Sequence, residues 1–187
     1  MMRVLVVTPP APFVTLDEMS DYLGLGDDLS DRRRLASLLA AACAHIDNPD
    51  GWLGRSIGLQ TLELRCDAQN PCSIRLPSPP VVELVSVKYL NVDGTEQSAS
   101  LSDLELLGAE IVPLAGWPWV GASSRREAVR IRYRAGYVTV PEPIKQAVRF
   151  MIADMFQYPE SVTSGALSQV RIPASADNLL SPFRVYI

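Results

Sequence analysis

The sequence predicts an α+β protein. The predicted architecture is a small helical bundle of three main helices, an antiparallel β-sandwich or barrel-like domain inserted between helices two and three, and an extended C-terminal tail. Three observations predict this class: apolar residues recur at helical spacing near both ends, short alternating segments fill the middle, and neither period continues beyond residue 158. The predicted divisions are an N-terminal extended arm over 1–14, the helical bundle over 15–55 and 141–158, the β-rich domain over 56–140 and the tail over 159–187.

The first two helices have clear start and stop signals. Thr15 and Glu18 have the spacing of a capping box, in which each side chain accepts a hydrogen bond from the other residue's backbone N–H. A helix over about 16–23 follows and ends at Gly24. A second helix is predicted from 30 or 31 to about 48, because its apolar residues recur at three- and four-residue steps. This stripe consists of Leu35, Leu38, Leu39, Ala42 and Ile46.

The middle of the chain alternates apolar and polar residues over short segments, which is typical of half-buried strands. These segments are 61–66, 73–76, 81–90, 104–107, 111–114 and 129–134. Asp93-Gly94 follows the third segment and is a strong hairpin-turn signal. Six or more short strands of this kind fit a small antiparallel sandwich or barrel.

A third helix and the tail complete the chain. The helix is predicted to begin at Pro141, a residue that suits a first turn, and to run to about Gln157. From Pro159 onward the sequence has no helical or strand period, yet it closes on apolar residues. A free tail would be polar, so we expect docking on its own domain or on a partner, and we favour a partner because extended segments add main-chain hydrogen bonds to a neighbour. The residues expected to dock are Leu179, Leu180, Phe183, Val185, Tyr186 and Ile187.

Composition and motifs argue against several classes of function. A net charge of −4 over 187 residues gives no global basic surface for DNA phosphates, and no apolar stretch approaches the ~20 residues of a membrane span. The three cysteines lack C-x-x-C spacing, and one histidine, His45, cannot supply a metal site. Neither a phosphate-binding loop nor a G-x-S-x-G elbow occurs. We therefore expect no catalytic residue, no metal and no cofactor.

Two tryptophans, Trp117 and Trp119, flank Pro118 in a loop between Gly116 and Gly121. Large rings in such a loop can cover the core of a sheet. They can also form contacts between subunits, where Trp is enriched, or a platform for a sugar or another ligand. All three interpretations remain open from the sequence.

An acidic stretch lies just before the second predicted helix and contains Asp27, Asp28 and Asp31. It lacks the glycine and terminal glutamate of a calcium loop. Acids at a helix start are stabilised by the helix dipole, so a solvated helix start explains them. A second interpretation is that they contribute to a functional acidic surface.

Several segments occur together in a recognisable order. They are, along the chain, 13–18, 54–55, 60–61, 76–81, 85–89, 93–94, 117–118, 132–137 and 140–141. This order resembles the head–tail connector (adaptor) proteins of tailed bacteriophages and phage-like particles, including gene transfer agents. Residues 48–52 depart from the family pattern by interrupting the run from the second helix into Gly54-Arg55.

The resemblance implies a ring of copies, commonly a dodecamer, attached beneath the portal protein of a capsid vertex. Such a ring extends the DNA channel, lets DNA pass without specific binding, and presents a platform for a stopper or tail-completion protein. It implies no catalytic step, a C-terminal tail anchored on the portal, and a location in the virion or phage-like particle after assembly in the bacterial cytoplasm. An acidic channel wall with Asp27, Asp28 and Asp31 would repel DNA phosphates.

Two alternatives remain open from the sequence. A carbohydrate- or ligand-binding module, or an enzyme, could use the Trp117/Trp119 loop of the β domain. A neighbouring stopper or tail-completion protein would be structural like the adaptor. A sugar site or paired carboxylates near Trp119 would favour the first alternative.

Overall fold

The computed structural model describes residues 2–26, 28–47, 49, 51–69, 71–158 and 173–185. The chain divides into two compact units, each built from two separate stretches of sequence. The β unit comprises Met1–Ala11 and Arg55–Val138, and the helical unit comprises Pro12–Gly54 and Thr139–Ile187. The predicted α+β class is confirmed.

The helical unit contains α1 (Leu16–Leu23), α2 (Leu29–Ile46), α3 (Glu142–Gln157) and α4 (Ala174–Leu180). At the start of α1 the predicted capping box is present. Thr15 Oγ1 accepts a hydrogen bond from the Glu18 N–H at 3.2 Å, and the Glu18 carboxylate accepts one from the Thr15 N–H at 2.9 Å. Gly24, at φ +65°, ends the helix in the left-handed conformation that glycine adopts without a Cβ clash.

The core of this unit comes from one apolar face of each helix. Residues of α2 at the predicted stripe positions 35, 42 and 46 are buried, while Leu38 and Leu39 are half-buried. Among the described residues, the larger side chains of this unit with no exposed surface are Met19, Leu35, Ile46, Leu53, Ile144, Val148, Ile152 and Leu180. None of the described helices has the length and apolar character needed to cross a membrane.

Helix α4 lies in the segment that the sequence predicted to be an extended tail. It packs against α3, and its Ala176 and Leu180 are fully buried. These two residues are one turn apart and therefore share a face. A helix of seven residues spans about two turns, which is too short for a period to be recognised in the sequence. A 3₁₀ turn over Ser181–Phe183 follows.

The described residues of the β unit contain eight strands in two antiparallel sheets. They are β1 (Met2–Thr8), β2 (Gln60–Cys66), β3 (Ile74–Arg75), β4 (Val81–Leu90), β5 (Glu96–Ala99), β6 (Leu104–Leu107), β7 (Glu110–Pro113) and β8 (Val129–Ala135). The larger sheet has the order β1-β2-β8-β4-β5, and the smaller has the order β3-β7-β6. The predicted hairpin turn joins β4 to β5, with Gly94 at φ +79°.

Strand β1 was predicted only as part of an extended arm. It pairs antiparallel with β2 at the edge of the larger sheet, with Val4 opposite Leu64. The first strand therefore comes from the start of the chain, while its partner lies after the first two helices.

The core of the β unit is formed by alternate residues of the larger sheet. Leu62 and Leu64 of β2, Val87 of β4, and Ile131 and Tyr133 of β8 have almost no exposed surface. Because side chains alternate along a strand, the residues between them point to the opposite face. That face carries a row of charged side chains.

Candidate interaction surfaces

The two tryptophans of the predicted loop lie in the core of the β unit. Trp117 and Trp119 are 5% and 2% exposed, and their rings stack with centroids 4.5 Å apart at an interplanar angle of 22°. Trp117 Nε1 donates to the Pro71 carbonyl oxygen at 2.6 Å, and Trp119 Nε1 donates to that of Gln69 at 3.1 Å. Both polar edges are therefore satisfied inside the protein, as buried indoles require.

This burial corrects two predictions for Trp117 and Trp119. A side chain that is 95% or more buried in its own subunit offers no area for a contact with another copy. It also offers no ring face for stacking on a sugar. Of the three interpretations open from the sequence, the structure selects the cover over the sheet's core.

The C-terminal segment is held on the helical unit as far as it is described. The Val185 N–H donates to the Leu53 carbonyl oxygen at 2.9 Å, and the Arg184 guanidinium lies 4.3 Å from the centroid of the Trp52 ring. Gly54, at φ +64°, faces this segment, and a Cβ there would lie 2.5 Å from the Val185 carbonyl oxygen. The close approach explains why glycine occupies this position.

The predicted docking residues of the tail have different surroundings. Leu180 is fully buried in its own unit, so the prediction that it contacts a partner is corrected. Leu179, Phe183 and Val185 are half-buried and keep accessible surface. Tyr186 and Ile187 lie outside the described residues.

The three predicted channel acids are helix-start residues where they are described. The Asp28 carboxylate caps α2 by accepting a hydrogen bond from the Ser30 N–H at 2.9 Å, and this bond lowers the pKa of Asp28. Asp31 lies in the first turn of α2 and is half-buried. Asp27 lies outside the described residues. Asp28 therefore has a structural role in starting the helix.

The outer face of the larger sheet carries a row of ion pairs that sequence reasoning did not identify as a surface. We call it the charged face. Its charged side chains are Arg3, Glu63, Arg65, Glu83, Lys88, Glu96, Arg130, Arg132 and Arg134. Six cations and three carboxylates give it a net charge of +3, or +2 with Glu127, which lies 4.0 Å from Arg65 at its margin.

Glu63 is the buried centre of the charged face. Its side chain is only 4% exposed and accepts hydrogen bonds from Arg65 Nε at 2.7 Å and from Arg132 Nε at 2.6 Å. Burial raises the pKa of the Glu63 carboxyl, but the hydrogen bonds and charges of Arg132 and Arg65 outweigh burial, so the pKa lies below its ordinary value. The carboxylate thus stays ionised and fixes the two guanidinium groups.

The remaining pairs are more exposed. Arg134 pairs with Glu83 at 2.7 Å, while Lys88 and Arg130 share Glu96 at 2.7 and 2.9 Å. These five side chains are 35–51% exposed. The clean alternation of 129–134 was the available sequence signal, but it does not reveal which residues of other strands pair with the three arginines.

Replacing Glu63 with glutamine is expected to destabilise the β unit by about 1–3 kcal/mol at neutral pH, because hydrogen bonds to charged groups are lost. A lowered native pKa stabilises the fold above the ordinary pKa of 4.5, and this stability is lost as pH falls through the native value. The difference between wild type and Glu63→Gln should therefore shrink below about pH 4. Urea unfolding at several pH values measures it. Glu83→Gln, at an exposed pair, is the control and should cost less than about 1 kcal/mol.

Within the described ranges, no group of three or more His, Cys, Asp or Glu side chains is arranged to hold a metal ion. Burial raises the pKa of the Cys43 thiol to about 12 and that of Cys66 to about 11. Both thiols stay protonated at neutral pH and are poor nucleophiles.

No protein-family model matches the chain, and no curated protein matches it. Solved structures do. A chain in the neck of an empty gene transfer agent (GTA) particle, computed with C6 symmetry, is 21% identical, and the match covers 99% of this chain and 96% of that one with a TM-score of 0.77. This protein has the fold of that neck chain.

Two further solved structures have the same fold. A chain in the virion of a native GTA particle is 22% identical over 98% of this chain and 96% of its own, with a TM-score of 0.69. A chain in the neck of a native GTA particle, computed with C12 symmetry, is 18% identical, and the match covers 97% of this chain and 96% of that one with a TM-score of 0.65. The resemblance read from the sequence is thus confirmed at the level of the fold, and the similarity includes both units.

Proposed function

We propose that the protein is a structural subunit of the neck of a phage-like particle, where it connects the head to the tail without a catalytic step. The observation that carries this proposal is the similarity to a GTA neck chain over 99% of the chain. A match that extends over both units concerns the whole architecture. It therefore gives more support than a match to one common domain would.

In its finer form, the proposal is an adaptor that forms a closed ring beneath the portal protein, extends the DNA channel and receives a stopper or tail-completion protein. The symmetries used for two neck structures, C6 and C12, support a ring. A count of twelve copies is what the family resemblance implies. DNA would pass through without specific binding, consistent with a net charge of −4, and Asp28 and Asp31 would add negative charge to the wall.

The C-terminal segment is the proposed portal contact. Leu179, Phe183 and Val185 keep accessible surface, and Tyr186 and Ile187 extend the apolar sequence beyond them. The hydrogen bond from the Val185 N–H to the Leu53 carbonyl oxygen holds this segment on the helical unit as far as Val185. A pre-positioned segment loses less conformational entropy when it binds.

Removing the gene for this chain from the producing cell tests the function. We expect heads and tails to accumulate separately, with complementation by the wild-type chain restoring joined particles. Electron microscopy of negatively stained lysates measures the joined fraction. An unchanged fraction of joined, active particles without the chain would contradict the proposal.

A further inference from the structure

The charge of the chain is divided unevenly between its two units. The helical unit carries twelve Asp and Glu against seven Lys and Arg, a net charge of −5, whereas the β unit carries nine against ten, a net charge of +1. Within the β unit the positive charge is concentrated on the charged face. One chain therefore contains both a negative unit and a positive surface.

The charged face is built to receive carboxylates. Arg132 lies in the central strand, and among the described residues only its Nε donates a hydrogen bond, to Glu63. Its two terminal nitrogens therefore remain available as donors, and its side chain is 45% exposed. Because Glu63 holds Arg132 and Arg65 in place, their guanidinium groups are already ordered. A guanidinium in fixed orientation binds carboxylates with good geometry and little further loss of entropy.

The helical unit offers matching acceptors. The carboxylates of Asp21 on α1 and Asp154 on α3 are exposed, and neither has an ion-pair partner among the residues described. They contribute to the net charge of −5 but not to the caps of their helices. These carboxylates are therefore free to pair across an interface.

We infer that the charged face of one copy contacts the acidic helical unit of a second copy of this chain. This inference rests on the proposed function, because a closed ring needs two different surfaces on each copy that meet head to tail. Opposite charges on those two surfaces specify the direction of assembly and disfavour face-to-face pairing. Duplex DNA is the alternative occupant that the net positive charge of this face would attract, and its binding is one outcome of the test below.

A charge-exchange experiment tests the inference on the full chain. The face variant is Lys88→Glu with Arg134→Glu, both at side chains at least 40% exposed. The helix variant is Asp21→Lys with Asp154→Lys. The control, Arg75→Glu with Arg125→Glu, changes the net charge as much as the face variant does, at exposed positions outside the charged face. Circular dichroism verifies that all variants fold.

Self-association is measured by sedimentation equilibrium at low salt, where charge interactions are least screened. The face variant and the helix variant should each weaken association by about tenfold or more, and the control by less than about threefold. The variant that combines all four exchanges should return to within about threefold of wild type. The inference would be overturned if the face variant and the control weakened association equally, or if the combined variant showed no recovery. It would also be overturned if the wild-type chain were still monomeric at about 1 mM.

Two further outcomes separate this inference from other possibilities. If wild type binds a duplex DNA of about 30 base pairs, and the face variant loses that binding while self-association is unchanged, the charged face is a DNA surface and the inference is wrong. A neck reconstruction in which this chain forms a ring, but its charged face meets no neighbouring helical unit, would overturn the inference and leave the proposed function intact.

Discussion

Replacing Trp119 with alanine is expected to destabilise the β unit by about 3–5 kcal/mol, the range for removing a large aromatic side chain from a core. The side chain is 2% exposed, stacks on Trp117 at 4.5 Å, and donates a hydrogen bond to the Gln69 carbonyl oxygen at 3.1 Å. The substitution leaves a cavity and an unpaired carbonyl group. Urea unfolding followed by far-UV circular dichroism measures the loss.

The matched control is Val120→Ala, because Val120 lies next in the same loop and is 75% exposed. It should change the free energy of unfolding by no more than about 0.5 kcal/mol. A sugar platform would behave differently, since Trp119→Ala would then abolish glycan binding without loss of stability. That pattern would contradict the burial of the ring described above.

Replacing Leu180 with alanine is expected to cost about 2–5 kcal/mol in the helical unit, as for other fully buried leucines. Leu180 has no exposed surface, and its helix α4 packs on α3. Loss of the side chain should loosen α4 and speed amide hydrogen exchange in both helices. Urea unfolding and hydrogen exchange resolved by mass spectrometry measure the two effects.

Leu179 provides the comparison for Leu180, because it is the preceding residue of the same helix and is half-buried. Leu179→Ala should cost about 1 kcal/mol or less in the free chain. Equal, small effects of both substitutions would mean that α4 does not contribute to the folded unit. In that case Leu180 would again be a candidate for contact with a partner.

Local signals made part of the fold predictable. The capping box at Thr15 and Glu18 and the glycine at Gly24 mark both ends of the eight-residue helix α1, so no distant contact is needed to recognise it. The alternation in 129–134 likewise defines β8, because side-chain direction in a strand depends only on the pleat.

The remaining features depend on residues that are distant in sequence. The Trp119 indole N–H donates to a carbonyl oxygen 50 positions away, and the Glu63 carboxylate accepts from an arginine 69 positions away. Neither hydrogen bond can be recognised from the sequence around either residue. The tryptophans therefore had three open interpretations, and the charged face was not predicted. Helix α4 was not predicted either, because its stability comes from packing on α3 more than from its own seven residues.

The proposed function makes this chain a subunit of a particle neck. Cryo-electron reconstruction of the neck of particles purified from the producing cell, calculated without imposed symmetry, is the decisive test. We predict a closed ring between portal and tail whose density accommodates both the β unit and the helical unit of this chain. Density at that position that does not fit the two units, in particles from cells that express the protein, would contradict the claim.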